Sequence, residues 1–413
     1  MNVMKRNLPK LFMLQQVKNS YFKNTSGMNF YALCLFFGFF YLMSGCDEPR
    51  APKPYKVKIP IAKGSGYSYE TVTLDSLTNI EKIEGDYVAI KGGAEVTVTE
   101  DVEEIVKSEN PSNIYSKDPS HIRINFIEKD GVIIPKDFTS MAAFTLYYNY
   151  EQTFNFWRDN LGLTLESFGK LTLINNPLLI LDLDGGSASV SVKVNAAFVP
   201  GPRDLWFFKE TDRSEIPLKM NLGVMAHEFS HAIFDDQFAD RNPQVYESVS
   251  EEASFWISAI NEGVADYFAY MVTGRTNDFA LSLKELSSER QLPIYWTLST
   301  VDLISCASSF YCYGSILATA LYQISLDLAG TYDNSAVEVG QRVYQALSDD
   351  NFSAYWFTQK VQTRPSPLYA KFLEAIYSAA PESDRGVYCA RFVEYFNTID
   401  EITALGEFGC SEE

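Results

Sequence analysis

The sequence is poor in histidine and in basic residues, and the second shortage excludes one class of partner. Only 3 of its 413 residues are histidine, and 34 basic residues stand against 53 acidic ones, which gives a formal net charge of −19. A chain this acidic has no electrostatic attraction for a phosphate backbone, so we expect no nucleic-acid partner. Calcium could use the acidity, but no cluster of carboxylates has the ligand spacing of a calcium loop.

Two of the three histidines fall in one motif, His227-Glu228-Phe229-Ser230-His231. On a helix, residues four apart lie on the same face, so both imidazoles can bind one metal ion. Glu228 then lies beside the metal, where it can polarise a bound water. Asn221 is a candidate N-cap, and an apolar stripe at helical spacing supports the helix: Leu222, Met225, Ala226, Phe229 and Ile233.

A catalytic zinc ion needs three protein ligands and an open position for water. The segment Asn261-Glu262-Gly263-Val264-Ala265-Asp266 supplies Glu262 as the third ligand. One helical turn later, Asp266 can fix the tautomer of a ligating histidine, and Asn261 can orient the other imidazole through its amide. The remaining histidine, His121, stands alone in a polar stretch, and we interpret it as a surface or structural residue.

The two segments together resemble those of the gluzincin metallopeptidases, and of their thermolysin-like branch in particular. The matching patterns are His227-Glu228-x-x-His231 and Asn261-Glu262-Gly263-x-x-Asp266. The resemblance implies an α+β fold, a thermolysin-like zincin of two lobes with the zinc helix between them. It also implies one Zn²⁺ ion as cofactor and a protein or peptide as substrate.

Two stretches ahead of the zinc motif agree with this family. Val194-Asn195-Ala196-Ala197-Phe198 is similar to the edge strand that holds the substrate in the thermolysin-like branch, which implies Asn195 and Ala196 as substrate-binding residues. Thr153-Phe154-Asn155-Phe156-Trp157, followed by Asn160-Leu161-Gly162, is similar to the family's helix and turn upstream of that strand.

The sequence departs from the family at the group that stabilises the oxyanion. The segment from Tyr311 to Tyr322 resembles the part that carries the family's transition-state histidine, but no histidine follows His231. A tyrosine hydroxyl can donate to the oxyanion instead, as it does in related aminopeptidases of the gluzincin group. Tyr311 falls where that histidine would align, Tyr313 is the neighbouring candidate, and Tyr246 is a candidate for the family's other tyrosine donor.

Two further features bear on the kind of peptidase. The spacing from His231 to Glu262 is longer than thermolysin-type enzymes usually show, which implies an inserted loop around Gln237 to Ala253 at the rim of the cleft. The Gly-x-Met-Glu-Asn type of aminopeptidase signature is absent, which favours an endopeptidase.

The N-terminus predicts export. Residues 1–45 contain five basic side chains, no acidic one, and the apolar run Phe30 to Met43. With 14 residues this run is too short for a membrane span and has the length of a signal-peptide core. It ends in Leu42-Met43-Ser44-Gly45-Cys46, which resembles a bacterial lipobox and implies lipidation of Cys46. We therefore expect a lipid-anchored protein of the bacterial cell envelope, facing the periplasm or the outside; an ordinary secretory signal or a plain membrane anchor is the alternative.

Cysteine is scarce, and its usage is consistent with export. No close-spaced pair of pairs exists among the 6 cysteines, which argues against a second zinc site built from thiolates. Cys34 lies in the leader and Cys46 would carry lipid. The other four allow three pairings, and in an oxidising compartment we expect disulfides. The shortest loops are closed by pairing Cys306 with Cys312 and Cys389 with Cys410.

The hydrophobic pattern divides the chain into four parts. We expect a leader at 1–45, a proline- and lysine-containing tether at 46–60, a strand-rich N-terminal lobe at 61–220, and the zinc helix with a helical C-terminal lobe at 221–413. Strands are predicted within Tyr67 to Val106, Ile122 to Ile134 and Leu171 to Phe208. Helices are predicted at Met141 to Asn160, Ser315 to Ala329, Ala336 to Leu347 and Pro367 to Ala379.

These features predict a membrane-anchored zinc metallopeptidase outside the cytoplasm. Zinc would be bound by His227, His231 and Glu262, with Glu228 as the general base. One alternative is a catalytically silent zinc-binding lipoprotein that holds a peptide or an envelope partner in the cleft. Another is a structural envelope protein in which the motif is a remnant. Glu228 favours the enzyme, because a site without hydrolysis has no need of a base.

Overall fold

The computed structural model describes residues 54–64, 66–98, 115–183, 186–190, 195–209, 216–239, 251–282, 290–301, 309–353 and 366–396. The predicted leader with its lipobox lies outside these residues. Also outside them are Cys46, Tyr246, Cys306 and Cys410. Within the described part, no helix is long and apolar enough to span a bilayer.

The chain begins its described part with a strand whose side chains alternate between core and solvent. In β1 (Tyr55–Lys63), Val57 and Ile59 are buried whereas Lys56 and Lys58 are exposed. This strand pairs antiparallel with β2 (Gly66–Leu74) over its whole length and parallel with β9 (Val132–Pro135), in the order β2-β1-β9-β8. The strands between them are β3 (Leu77–Asn79), β4 (Glu84–Gly85), β5 (Val88–Gly92), β6 (Glu95–Val98), β7 (Ser120–His121) and β8 (Phe126–Lys129).

Strand β1 corrects the predicted tether, which ends at Pro60. The lysines that made this stretch resemble a solvated linker occupy the exposed face of β1, and the apolar residues between them are buried. A strand with one face toward solvent gives such alternation. The strand-rich part therefore starts at Tyr55, and the earlier tether residues lie outside the described ones, Pro54 excepted.

A second sheet has the strand order β13-β14-β10-β5-β4-β3, with β7 paired to β5. Its centre is parallel, since β10 (Leu171–Asn175) pairs parallel with both β5 and β14 (Asp204–Phe207). Strand β13 (Ala196–Val199) pairs antiparallel with β14 and lies at the edge of the order. A third, smaller sheet has the order β12-β11-β6, with β11 at Leu178–Leu183 and β12 at Gly186–Val190.

One long helix connects the sheets to the helix that carries His227 and His231. Helix α1 (Phe138–Leu161) begins where the Asp137 side chain accepts from the backbone N–H of Ser140, and ends at Gly162 in the left-handed conformation, φ 73°. Its buried face carries aromatic rings that pack on one residue of the histidine-bearing helix, Phe229. These rings are Tyr150, Phe154 and Trp157.

The second half of the described chain is helical. A 3-10 turn at Leu218–Met220 precedes α3 (Leu222–Phe234), which continues as a π-helical turn over Asp235–Ala239. The predicted loop around Gln237 to Ala253 is therefore wrong at both ends, because residues 237–239 prolong the helix and α4 begins at Glu251; residues 240–250 lie outside the described part. The helices are α2 (Leu165–Phe168), α4 (Glu251–Thr273), α5 (Asp278–Ser282), α6 (Phe310–Asp327), α7 (Ser335–Leu347), α8 (Ser366–Ala379) and α9 (Arg385–Phe396).

The predicted α+β class is confirmed in its coarse form, with strands concentrated in the first part of the chain and helices in the second. The largest cluster of buried apolar side chains contains residues of both parts, from Val57 of β1 to Phe396 of α9. Cys312 and Cys389 are disulfide-bonded. Their pairing stays a prediction, because Cys306 and Cys410 lie outside the described residues.

Candidate metal centre

Helix α3 starts at a cap that also ties it to a neighbouring element. The Asn221 side-chain oxygen accepts from the Gly223 N–H at 3.0 Å, and its amide donates to the Asp278 carbonyl and to Ser282 Oγ. The cap satisfies a backbone donor of the first turn, and the two amide bonds attach that turn to α5. Because Asn221 is fully buried, the start of the helix is fixed from both sides.

The predicted ligands come together at one point between α3 and α4. His227 Nε2 lies 2.9 Å from His231 Nε2 and 3.3 Å from Glu262 Oε2, and His231 Nε2 lies 3.7 Å from Glu262 Oε1. Among the described residues these three are the group of histidine, cysteine and acidic side chains whose ligand atoms could hold a metal ion, all within 4.8 Å of one another.

The other ring nitrogen of each histidine has the partner that helical spacing predicted. His227 Nδ1 lies 3.0 Å from Asp266 Oδ1, and His231 Nδ1 lies 2.9 Å from Asn261 Oδ1. A ring whose Nδ1 carries the donated proton presents the lone pair of Nε2, which is the nitrogen that faces the other ligands in both residues. Asn261 and Asp266 therefore orient the two imidazoles.

Two glycines set the distance between α4 and the helix beside it, α6. A Cβ atom on Gly263 would lie 2.5 Å from the Gly314 carbonyl oxygen, and one on Gly314 would lie 2.9 Å from the Gly263 nitrogen. No side chain fits at such distances. The close crossing places Glu262, next to Gly263, opposite the first turn of α6, which carries Tyr311.

Glu228 is buried, at 5% exposure, on the same helix as the two histidines. It accepts a hydrogen bond from the backbone N–H of Phe198, in the edge strand β13. Burial, with a smaller contribution from the neighbouring Glu262 carboxylate, raises the pKa of Glu228 to about 7. The carboxyl group therefore lies between the candidate metal ligands and the edge strand.

The two imidazoles differ in their electrostatic surroundings. Burial lowers the pKa of His231 to about 4, so that this ring is neutral near pH 7. Burial and the Arg290 charge also favour a neutral His227, but its hydrogen bonds to Asp266 and Glu262 outweigh them and raise the pKa of His227 to about 9. A metal ion on Nε2 would take the place of that proton.

Sequence reasoning missed Arg290, which lies in the centre of this cluster. Its Nη2 is 2.8 Å from Glu262 Oε2 and 2.5 Å from Asp266 Oδ1, and its Nε donates to Asp266 Oδ2 at 3.1 Å. The guanidinium and the histidines hold the pKa values of Glu262 and Asp266 below their usual range despite burial. No motif marks Arg290, because it comes from an irregular segment outside both helices.

The cluster forms one wall of a cavity of about 280 Å³. Residues of the edge strand region also line the cavity, among them Asn195 and Ala196, the two predicted substrate-binding residues. Asn195 is exposed, and its carbonyl accepts from the Phe208 N–H at 3.1 Å. Among the described strands, β13 pairs with β14 and is the terminal strand of its sheet, a position at which an added strand can pair.

Of the tyrosine candidates, Tyr311 lines the cavity. The charge of Glu262, together with burial, raises the pKa of Tyr311 well above its usual value, so its hydroxyl keeps the proton that a donor needs. The Tyr313 ring instead packs edge-on against Phe255 and Trp256. Tyr246 lies outside the described residues, and His121 is exposed in β7 as expected for a surface residue.

Comparisons with known proteins show a distant structural likeness. No family model matches the chain, and no curated protein matches it. Among solved structures, the precursor of protealysin, a metalloproteinase from Serratia proteamaculans, is similar with a TM-score of 0.41 and 10% identity. The match covers 74% of this chain and 87% of that chain. A likeness this distant carries no argument about activity.

Proposed function

We propose that this chain is a zinc metallopeptidase that cleaves peptide bonds within protein or peptide substrates. One observation carries the proposal. The donor atoms of His227, His231 and Glu262 lie within 4.8 Å of one another, on the wall of a cavity that also contains Glu228. A remnant of a lost site would have no reason to keep the partners of both imidazoles, and here Asp266 and Asn261 are both in hydrogen-bond contact.

The donor set fits zinc. Two imidazole nitrogens and one carboxylate oxygen are the ligands of a common class of catalytic zinc site, which leaves the fourth position for water. Harder cations such as Ca²⁺ and Mg²⁺ prefer sites made of oxygen atoms. Bound zinc would lower the pKa of water and polarise the carbonyl of the scissile bond.

The residues of the chain would supply the remaining chemistry. Glu228 would accept a proton from the attacking water and deliver it to the leaving amine, because its carboxylate lies beside the ligands and is buried from bulk solvent. Tyr311 would donate a hydrogen bond to the oxyanion from the first turn of α6. Its position in the cavity wall, with its proton retained, supports this role over Tyr313.

Substrate would bind as a strand added to β13. The edge position of β13 and the contact of Asn195 and Ala196 with the cavity support this mode. An added strand is held through backbone hydrogen bonds, so the site would read the peptide chain more than its side chains. The absence of a Gly-x-Met-Glu-Asn type of aminopeptidase signature from the sequence supports cleavage within chains rather than from an end.

The proposed cellular location of the enzyme is based on the N-terminal sequence. The run Phe30 to Met43 followed by Cys46 supports a lipid anchor in the bacterial cell envelope, with the catalytic part outside the cytoplasm. Replacing Cys46 by serine should move the protein from the membrane to the soluble fraction. A C46S variant that stays with the membrane would contradict the anchor without touching the proposed chemistry.

The experiment that tests the activity combines a fluorogenic peptide library with metal analysis of the purified full chain. Cleavage that disappears with a chelator and returns with Zn²⁺ supports the peptidase. Bound zinc without cleavage identifies the alternative, a silent zinc-binding lipoprotein that holds a peptide or an envelope partner. Absence of bound zinc after incubation with Zn²⁺ contradicts both.

A further inference from the structure

Arg290 is a buried cation in direct contact with two of the proposed metal ligands. Its Nη2 lies 2.8 Å from Glu262 Oε2 and 3.2 Å from His227 Nε2. Both of these are atoms that a metal ion at the site would use. The guanidinium donates to the Glu262 carboxylate, so Arg290 and a bound cation would compete for the negative charge of the same carboxylate.

Arg290 is held in this position from three sides. It is 6% exposed and forms a two-point contact with Asp266, through Nη2 and Nε. Its Cζ lies 4.2 Å from the ring centroid of Phe279 and 5.0 Å from that of Tyr311. Stacking on aromatic rings and pairing with a carboxylate both restrict a guanidinium, so its charge stays near the ligands.

Arg290 is the one arginine or lysine among the described residues that line the cavity. The acidic residues of the same lining are Glu228, Glu262 and Asp235. A divalent cation at the ligands would lie within a few ångströms of the guanidinium. In a buried site, repulsion at such a distance is several-fold stronger than in water.

We propose that Arg290 sets the metal affinity of the site, holding it below the value that His227, His231 and Glu262 alone would give. The proposal rests on the proposed function, because it takes these three residues as metal ligands. Arg290 acts in two ways. Without a metal ion it pairs with the carboxylates of Glu262 and Asp266, and with a metal ion bound its positive charge repels that of the metal. A site of this kind binds metal only where the metal is in good supply, and releases it readily to a chelator.

Substitution of Arg290 by glutamine removes the charge and keeps a polar side chain. We expect R290Q to bind Zn²⁺ about tenfold more tightly than the wild type, because the repulsion is lost and the carboxylates are left without a partner. R290K keeps the charge, and we expect its affinity to stay within about threefold of the wild type. R275Q is the matched control, because Arg275 pairs with a carboxylate, Asp278, at 2.7 Å but is not part of the cavity lining.

The measurement is a competition between the full chain and a chromogenic chelator, with Zn²⁺ and Co²⁺ as the metals. Thermal unfolding in excess chelator gives a second readout that does not depend on peptide cleavage. There R290Q should unfold at a lower temperature than the wild type, whereas saturating zinc should raise its midpoint by more than that of the wild type.

The outcomes separate this inference from the proposed function. If the wild type binds neither metal, the proposed function fails. If the wild type binds zinc but R290Q binds it equally or more weakly, only the role of Arg290 is overturned. If R290Q cannot be obtained folded, R290K decides: affinity within about threefold of the wild type supports a role for the charge, and tenfold weaker binding shows that the fork geometry positions the ligands instead.

Discussion

Glu228 is the residue at which metal binding and hydrolysis should separate. It lies on α3 with His227 and His231, yet its position toward the edge strand makes it a neighbour of the ligands rather than one of them. Removing its basicity should therefore leave the metal in place.

We expect Glu228→Gln to keep bound zinc and to lower kcat by about 10²- to 10⁴-fold, the usual contribution of a positioned general base. The measurement is kcat on a cleaved peptide together with the zinc content of the same preparation. Glu166→Gln, at an exposed position, serves as the control. Full activity in the Glu228 variant would remove the proposed mechanism.

Tyr311 and Tyr313 give a matched pair on one helix. We expect Tyr311→Phe to lower kcat by roughly 10²-fold while the metal affinity stays the same, because one donor to the oxyanion is lost. Tyr313→Phe, whose ring packs on Phe255 and Trp256, should keep its kcat. Equal kinetics in the two variants would exclude Tyr311 as the oxyanion donor.

At the scale of single residues, the sequence predicted the parts of the site that follow from the period of a helix. His227 and His231 face one way because they are four apart, and Glu262 and Asp266 are spaced in the same manner on α4. Arg290 could not be found in this way. It reaches the cluster from the irregular segment 290–301, and only the tertiary fold brings that segment to the ligands.

At the scale of elements, two glycines set the distance between helices α4 and α6. The crossing at Gly263 and Gly314 leaves no room for a methyl group on either side. Because Glu262 and Tyr311 lie within one turn of these glycines, the spacing of the two helices also sets the spacing of a ligand and a proposed donor.

Gly263→Ala should lower the free energy of unfolding by about 1 to 3 kcal/mol, since the added carbon overlaps the Gly314 carbonyl and outweighs the better helix propensity of alanine. It should also weaken zinc binding, because Glu262 moves with the backbone. Denaturant unfolding and the chelator competition measure both effects. Gly330→Ala, where nothing lies within 4 Å, is the control; a variant at Gly263 as stable as this control would contradict the close crossing.

Gly314 lies near a helix boundary that the sequence predicts too far along the chain. The sequence predicts a helix from Ser315 to Ala329 that ends at Gly330. The structure begins α6 at Phe310 and has Gly314 inside it. Close approach of a neighbouring backbone is a non-local cause, which a pattern within one segment does not reveal. The order of the strands in the sheet cannot be read from a local pattern either, because β5 and β14, the parallel neighbours of β10, are distant from it in sequence.

At the scale of the whole molecule, a buried acid makes the stability depend on pH. Asp204 in β14 is 5% exposed and accepts from the Tyr115 hydroxyl at 2.5 Å. Burial raises the pKa of Asp204 to about 6, above the ordinary 3.8. Between these values the folded chain holds a proton that the unfolded chain has released, so the free energy of unfolding decreases as the pH rises from about 4 to about 6.

Asp204→Asn keeps an oxygen that can accept from Tyr115 and removes the ionisation. We expect this variant to be up to about 3 kcal/mol more stable than the wild type at pH 8 and of similar stability at pH 4. Urea unfolding at the two pH values measures the difference. Asp130→Asn, at an exposed turn, should show no such pH dependence relative to the wild type. If the free energies of unfolding of Asp204→Asn and the wild type change with pH to the same extent, Asp204 is not the source of the pH dependence.

The proposed ligands come from two different helices, His227 and His231 from α3 and Glu262 from α4. A bound metal would therefore act as a cross-link that closes the loop between them, much as a disulfide does. Such a cross-link would slow the separation of α3 from α4. That separation would expose the backbone to proteolysis, including cleavage by other copies of the same protein. With metal in good supply the protein would therefore be long-lived, and removal of the metal would shorten its lifetime as well as stop the proposed activity.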